Sequence, residues 1–235
     1  MNVPSYFYAP LAVGALVLGG CGEPTAESDE PEFVVLKDDD AEPDQMLGRP
    51  GAYAMTARGH ETPPYAVVDV PADFANFGFF AMYPTADDDD VPFLAVQYWT
   101  VHGVHPEPCA REGAAPEIDG SVEDLAAALE QQRPTKASSP EPVSLGGHDG
   151  LYLELRIPRD VSFEDCGGDG YYVYWEGSLN DRHHTASEPG SVERLWILDV
   201  DGVRVVLAAI TGAGATDAQA DVLTDIITSV RFVPT

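Results

Sequence analysis

Lysine is nearly absent from this chain. Its 235 residues hold only Lys37 and Lys136, and twelve basic side chains stand against forty acidic ones, a formal net charge of −28. A field of that sign repels phosphate backbones and anionic headgroups, which argues against a nucleic-acid-binding role. Cysteine is scarce too: Cys21, Cys109 and Cys166 are the only three. The fold must therefore rest on its apolar core rather than on many disulfides, and an apolar content of 44% suffices for that. Several motifs are missing. There is no G-x-S-x-G elbow for a serine nucleophile, no Gly-Lys-Ser/Thr phosphate loop, no dinucleotide fingerprint and no βαβ series. There is no internal repeat.

The first twenty residues carry no charge. Within them residues 9–20, APLAVGALVLGG, form an apolar run too short for a comfortable membrane span and of the right length for a signal-peptide core. It ends in Leu18-Gly19-Gly20-Cys21, which resembles a bacterial lipobox: an aliphatic residue, two small residues that let a peptidase reach the backbone, and a cysteine whose sulfur takes the lipid. The leading MNVPSYFY departs from the usual pattern in having no basic residue. Residues 1–20 thus read as a lipoprotein signal peptide and Cys21 as the lipidation site. Residues 21–50 are rich in Glu, Asp and Pro and read as an acidic disordered tether, with 33–36 a candidate edge strand. Residues 51–235 read as a single globular domain.

In that domain, strand-like runs cover residues 66–70, 79–83, 93–104, 142–145, 151–157 and 171–175. The run Asp87 to Asp90 lies between prolines and reads as a loop tip, since four consecutive aspartates lack the spacing of a calcium loop. Residues 121–132 predict a helix capped by Ser121, with Val122, Leu125 and Leu129 on one face. The clearest signal comes last. Two apolar runs, 192–199 and 203–210, flank Asp201-Gly202, a hairpin pattern that sets Asp199 opposite Arg204. Trp196 and Leu198 fall on one face, Leu195 and Ile197 on the other, as in a strand covered on both sides. Residues 216–229 predict a second helix with a Thr216/Gln219 capping box, and 231–233 a short final strand. The fold class is α+β, a mainly antiparallel sheet with two main helices packed on it.

The segments YWTVHGVHPEPC (98–109), GSVEDLAAALEQQ (120–132), GGHDGLYLELRIP (146–158), PGSVERLWILDVDGVRVVLAA (189–209) and DIITSVRF (225–232), with Cys166 and residues 172–175, carry a resemblance to a family of uncharacterised exported lipoproteins of actinobacteria. The C-terminal third also resembles mycobacterial-type lipoproteins with a PsbP-like αβα sandwich. The resemblance implies a cell-envelope location and supplies no catalytic residues.

Candidate chemistry is sparse. His102, His105, Cys109 and Cys166 could be combined into a zinc site. However, His102 and His105, three apart on a strand, point to opposite faces, and two cysteines in an oxidising compartment pair with each other. A Cys109–Cys166 disulfide is the favoured reading, with no metal and no cofactor. His183-His184 reads as a polar loop, Ser121 as a cap rather than a nucleophile, and the glycine-rich 166–170 as a turn. The abundant carboxylates carry no signal of their own. Tyr171, Tyr172, Tyr174 and Trp175 form the candidate binding face, with alternate members in the core. The function these residues suggest is a non-catalytic binding or assembly module. It would be anchored by its lipid to the outer face of the cell membrane, with an envelope protein or small ligand as partner. The alternatives are a carboxylate-dependent extracytoplasmic hydrolase, marked by a cleft holding two carboxylates or a histidine and a carboxylate, and a small-molecule carrier, marked by a deep apolar pocket between sheet and helices.

Overall fold

The computed structural model describes residues 33–37, 44–58, 63–85, 92–110, 113–167, 170–177 and 183–234. Residues 1–32, which include Cys21, and the Asp87 to Asp90 run lie outside the described residues. In chain order the strands are β1 (Val34–Val35), β2 (Asp44–Met46), β3 (Gly51–Met55), β4 (Tyr65–Val70), β5 (Phe74–Phe77), β6 (Ala81–Pro84), β7 (Leu94–Trp99) and β8 (Val101–Val104). Helix α1 (Val122–Glu130) follows, then β9 (Lys136–Ala137), β10 (Glu141–Leu145), β11 (His148–Arg156), β12 (Val173–Gly177), β13 (His183–Thr185), β14 (Val192–Val200) and β15 (Val203–Thr211). Helix α2 (Asp217–Thr228) and β16 (Arg231–Val233) close the chain.

The β14–β15 hairpin organises the rest. Asp201 and Gly202 take positive φ values of 53° and 85°, the conformation a two-residue primed turn requires, and Asp199 pairs with Arg204 in register. The ion pair expected from that register does not form. The Arg204 guanidinium instead donates to the carbonyls of Val101, Ser121 and Asp119, tying β8 and the start of α1 to the hairpin. Antiparallel pairing extends the hairpin into a sheet of order β10-β11-β14-β15-β7-β6-β5-β2, with β9 beside β11. Period-two alternation then sorts its side chains into two cores. Trp196, Leu198, Val205 and Leu207 join Leu223, Ile226 and Ile227 of α2 and the inner face of the β1-β3-β4-β16 sheet. Leu195, Ile197, Val206 and Ala208 join Val122, Leu125 and Leu129 of α1 and the aromatic residues of the β13-β12-β8 sheet. The α+β reading holds, with the two helices on opposite faces of the large sheet.

Both helix starts follow the sequence. Ser121 Oγ accepts from the Asp124 amide at 3.0 Å, and Thr216 with Gln219 makes a complete capping box. Each fully buried leucine of the apolar stripes contributes about 1.5–3 kcal/mol relative to exposure. Other elements differ from the sequence reading, β3, β5, β9 and β13 among them. The 93–104 run is not one strand: it breaks at Thr100, and β7 belongs to the large sheet while β8 crosses to the small one. Ahead of Gly51, the candidate edge strand at 33–36 forms as β1, paired in parallel with β3, and β2, which the sequence reading did not contain, pairs with β5.

Candidate functional site

One face of β5, β6 and β7 presents Phe77, Ala81, Tyr83, Ala95, Gln97 and Trp99, and β13 stands across from it. Between them lies a cleft of about 550 Å³. The small side chains of Ala81 and Ala95 make the hollow; Phe77, Tyr83 and Phe93 stand around it. A second groove adjoins it through the shared residues Phe93, Gln97 and Thr185 and runs on to Phe163 and Tyr171. Among the described residues, the exposed large aromatics are Phe77 (49%), Phe93 (45%) and Tyr171 (52%), and all three line this continuous surface.

The wall is held in place by local bonds. Trp99 Nε1 donates to Gln97 Oε1 at 2.7 Å, locking two neighbours on one strand face. The Arg58 guanidinium lies 4.4 Å from the Phe80 ring centre and 5.2 Å from that of Trp99, and its backbone bridges to Tyr98 and Thr100. Phe80 and Trp99 meet edge to face at 5.3 Å.

His184 closes the floor. It is 2% exposed, and its Nε2 lies 2.7 Å from Oε2 of Glu193, which is wholly buried. The imidazole stacks on Trp175 at 4.3 Å and on Tyr174 at 5.5 Å, and meets Trp99 at 5.3 Å. Tyr174 and Trp175 are sequence neighbours that regular alternation would point apart. A register slip in β12 between Val173 and Trp175 turns both toward His184. Behind the pair, Glu193 Oε1, the Tyr174 hydroxyl and Ser191 Oγ are buried without a well-aligned hydrogen bond. Burial, with the Glu193 carboxylate beside it, holds the Tyr174 phenol in its neutral form well above its ordinary range.

The other candidates fall elsewhere. Tyr172, Tyr174 and Trp175 are fully buried, so they form no direct contact face; Tyr171 alone of that group is exposed. Packing of the small sheet on the large one takes the other three into the core. Cys109 and Cys166 are joined in a disulfide, Cα atoms 4.4 Å apart, tying the segment after β8 to the loop before β12. His102 is exposed beside Glu117, whereas His105 is buried against Glu176 at 3.1 Å. Among the described residues no group of three metal-ligating side chains comes together. His183 and His184 are in a strand rather than a polar loop, and His184 is at the centre of the cleft floor. The signal for it lay in β14: once Leu195 and Ile197 share a face, Glu193 and Ser191 fall on that same inward face, and a buried carboxylate needs a partner.

No protein-family model matches the chain, and no curated protein matches it. Among solved structures, the crystal structure of LpqN, described as involved in cell envelope biogenesis of Mycobacterium tuberculosis, matches with a TM-score of 0.37 and 12% identity. The match covers 83% of this chain and 94% of that one. No helix among the described residues is long and apolar enough to cross a membrane.

Proposed function

We propose that this protein is an envelope lipoprotein whose folded part binds a small, largely apolar ligand in the cleft between the large sheet and β13, with Cys21 carrying the lipid. The observation that carries the binding reading is the cleft itself. Its volume of about 550 Å³ falls among those of small-molecule sites, and the rim keeps Phe77 and Phe93 nearly half exposed. A surface shaped only for solubility gains nothing from such a hollow patch. The cleft lies between two sheets rather than between sheet and helix, yet it has the apolar walls a carrier or binding module needs. A hydrolase with paired carboxylates finds less support: the cleft lining contains no Asp or Glu among the described residues, and Glu193 is sealed behind His184.

The test is titration with 1,4-dimethylbenzene, followed by tryptophan fluorescence and by amide NMR shifts. Shifts confined to the residues around Trp99 and Phe93 support the reading, and Ala95→Phe, which fills the hollow, should abolish them. Absence of any localised shift up to the solubility limit, with this probe and with 4-methylphenol alike, would remove it. The anchor is tested separately. Globomycin should accumulate the unprocessed form, and a Cys21→Ser protein that stays as membrane-bound and as fully processed as wild type would refute lipidation.

A further inference from the structure

The floor of the cleft has a polar edge that its packing does not use. His184 is 2% exposed, and its ring makes one side-chain hydrogen bond, from Nε2 to Glu193 Oε2 at 2.7 Å. Glu193 is wholly buried and, as a carboxylate, can only accept. An imidazole carrying a single proton therefore places it on Nε2, facing that acceptor, and keeps its lone pair on Nδ1. Trp175 and Tyr174 pack on the ring and Trp99 meets it edge to face, so a polar group can approach the imidazole only along its edge. The residue lines the cleft. The amide in the cleft lining, Gln97, already has its carbonyl oxygen occupied by Trp99 Nε1.

We propose that His184, oriented by Glu193, is the recognition residue of the cleft, and that its ligand is a hydroxyl-bearing molecule, a phenol or an alcohol on an apolar body, whose O–H donates to His184 Nδ1. The inference rests on the cleft being a ligand site. It deepens that reading by naming the group the ligand must carry. The chemistry selects against close analogues. An ether, ketone or ester presents only lone pairs, which would face the lone pair of Nδ1. A hydrocarbon of the same shape would leave that buried acceptor without a partner. A site built around one hydrogen bond rejects the analogue that lacks it more strongly than an apolar wall rejects a missing methyl group.

The experiment compares three probes of one shape on the full-length protein at neutral pH: 4-methylphenol, 1,4-dimethylbenzene and 4-methylanisole. The expected result is that 4-methylphenol binds about tenfold more tightly than either analogue. It should also be the only probe that moves the ¹⁵N resonance of His184 Nδ1. The paired variant His184→Phe/Glu193→Leu removes acceptor and carboxylate together while keeping apolar volume, and it should bind all three probes within twofold of one another. Binding of all three probes within twofold by the wild type would overturn the proposal. So would a phenol preference that survives in the paired variant, or a His184 resonance unmoved by bound 4-methylphenol. If none of the probes binds, the cleft reading falls, a result distinct from equal binding, which removes only the role of His184.

Discussion

Replacing His184 with phenylalanine alone would take from the buried Glu193 carboxylate its one well-aligned hydrogen bond, that of Oε2, and leave the Tyr174 hydroxyl as the polar group beside it. Stripping a buried carboxylate of its hydrogen-bond donor costs at least about 1–3 kcal/mol, and more when the group is charged, since the carboxylate keeps its desolvation penalty. The reciprocal Glu193→Leu leaves a neutral imidazole N–H without an acceptor, which costs about 1–3 kcal/mol. Changing both at once removes two polar groups and keeps apolar volume against Trp175 and Tyr174, so the double variant should lie near the wild type or above it. The single effects would then fail to add by several kcal/mol, the signature of direct coupling. Urea unfolding of the four proteins at pH 7, read by tryptophan fluorescence, measures all three differences. A cost below 1 kcal/mol for His184→Phe would refute the reasoning, because it would mean that Glu193 is solvated or uncharged in the folded protein.

Two further outcomes follow from the same structure. Converting Cys109 and Cys166 together to alanine opens a link across a sequence separation of 57 residues and should destabilise by about 4 kcal/mol by loop entropy. Non-reducing mass spectrometry should show the linked peptides in the wild type, and two freely alkylated thiols in native protein would contradict the bond. Stability should also fall above about pH 10. Burial raises the phenol pKa values of Tyr98 and Tyr174, so the unfolded chain gives up those protons first. The contribution is intact below the ordinary tyrosine range and declines above it, by about 1.4 kcal/mol per pH unit for each group. Denaturation midpoints that stay flat to pH 11 would contradict it.

The hairpin, both caps and both buried helix stripes were legible because each rests on a local rule: Asp-Gly at positive φ, a hydroxyl three residues before its amide donor, apolar residues at helical spacing. What escaped the sequence depended on contacts between distant segments. His183-His184 looked like loop because nothing beside it in the chain marks it as a strand; pairing with β12 makes it one. The aromatic group at residues 171–175 was expected to alternate, but the register slip at Tyr174 turns Tyr174 and Trp175 the same way, and packing of the small sheet on the large one buries Tyr172 with them. Acidic composition masked β2, which its backbone bonds to β5 place, whereas the apolar 33–36 already read as a candidate edge strand and forms as β1. Glu193 was the one member of the site within reach of pattern reasoning, through its register with Leu195 and Ile197.

Why there is a cleft at all follows from the widths of the layers. On one face the large sheet is covered by α2 and the β1-β3-β4-β16 sheet. On the other face α1 packs against β11 and β14, and among the described residues the cover beyond it is the three-stranded sheet that ends at β13. Among the described residues, the inward residues of β6 and β7 beyond that edge meet no opposing layer, and two of them, Ala81 and Ala95, are small. An alanine at the floor of a hollow and an alanine in a filled core should therefore respond oppositely to enlargement. Ala95 borders the cleft, whereas Ala208, one strand away in β15 and opposite Gln97, is fully enclosed. Ala95→Phe should change stability by less than about 1 kcal/mol, because the added ring enters open volume and covers neighbouring apolar surface. Ala208→Phe should cost at least about 1–3 kcal/mol, because a packed core can take the ring only by moving side chains off their rotamers. Thermal unfolding of the two variants in parallel decides it. Equal losses would mean that the cleft is filled by its own walls in solution, and the ligand site would go with it.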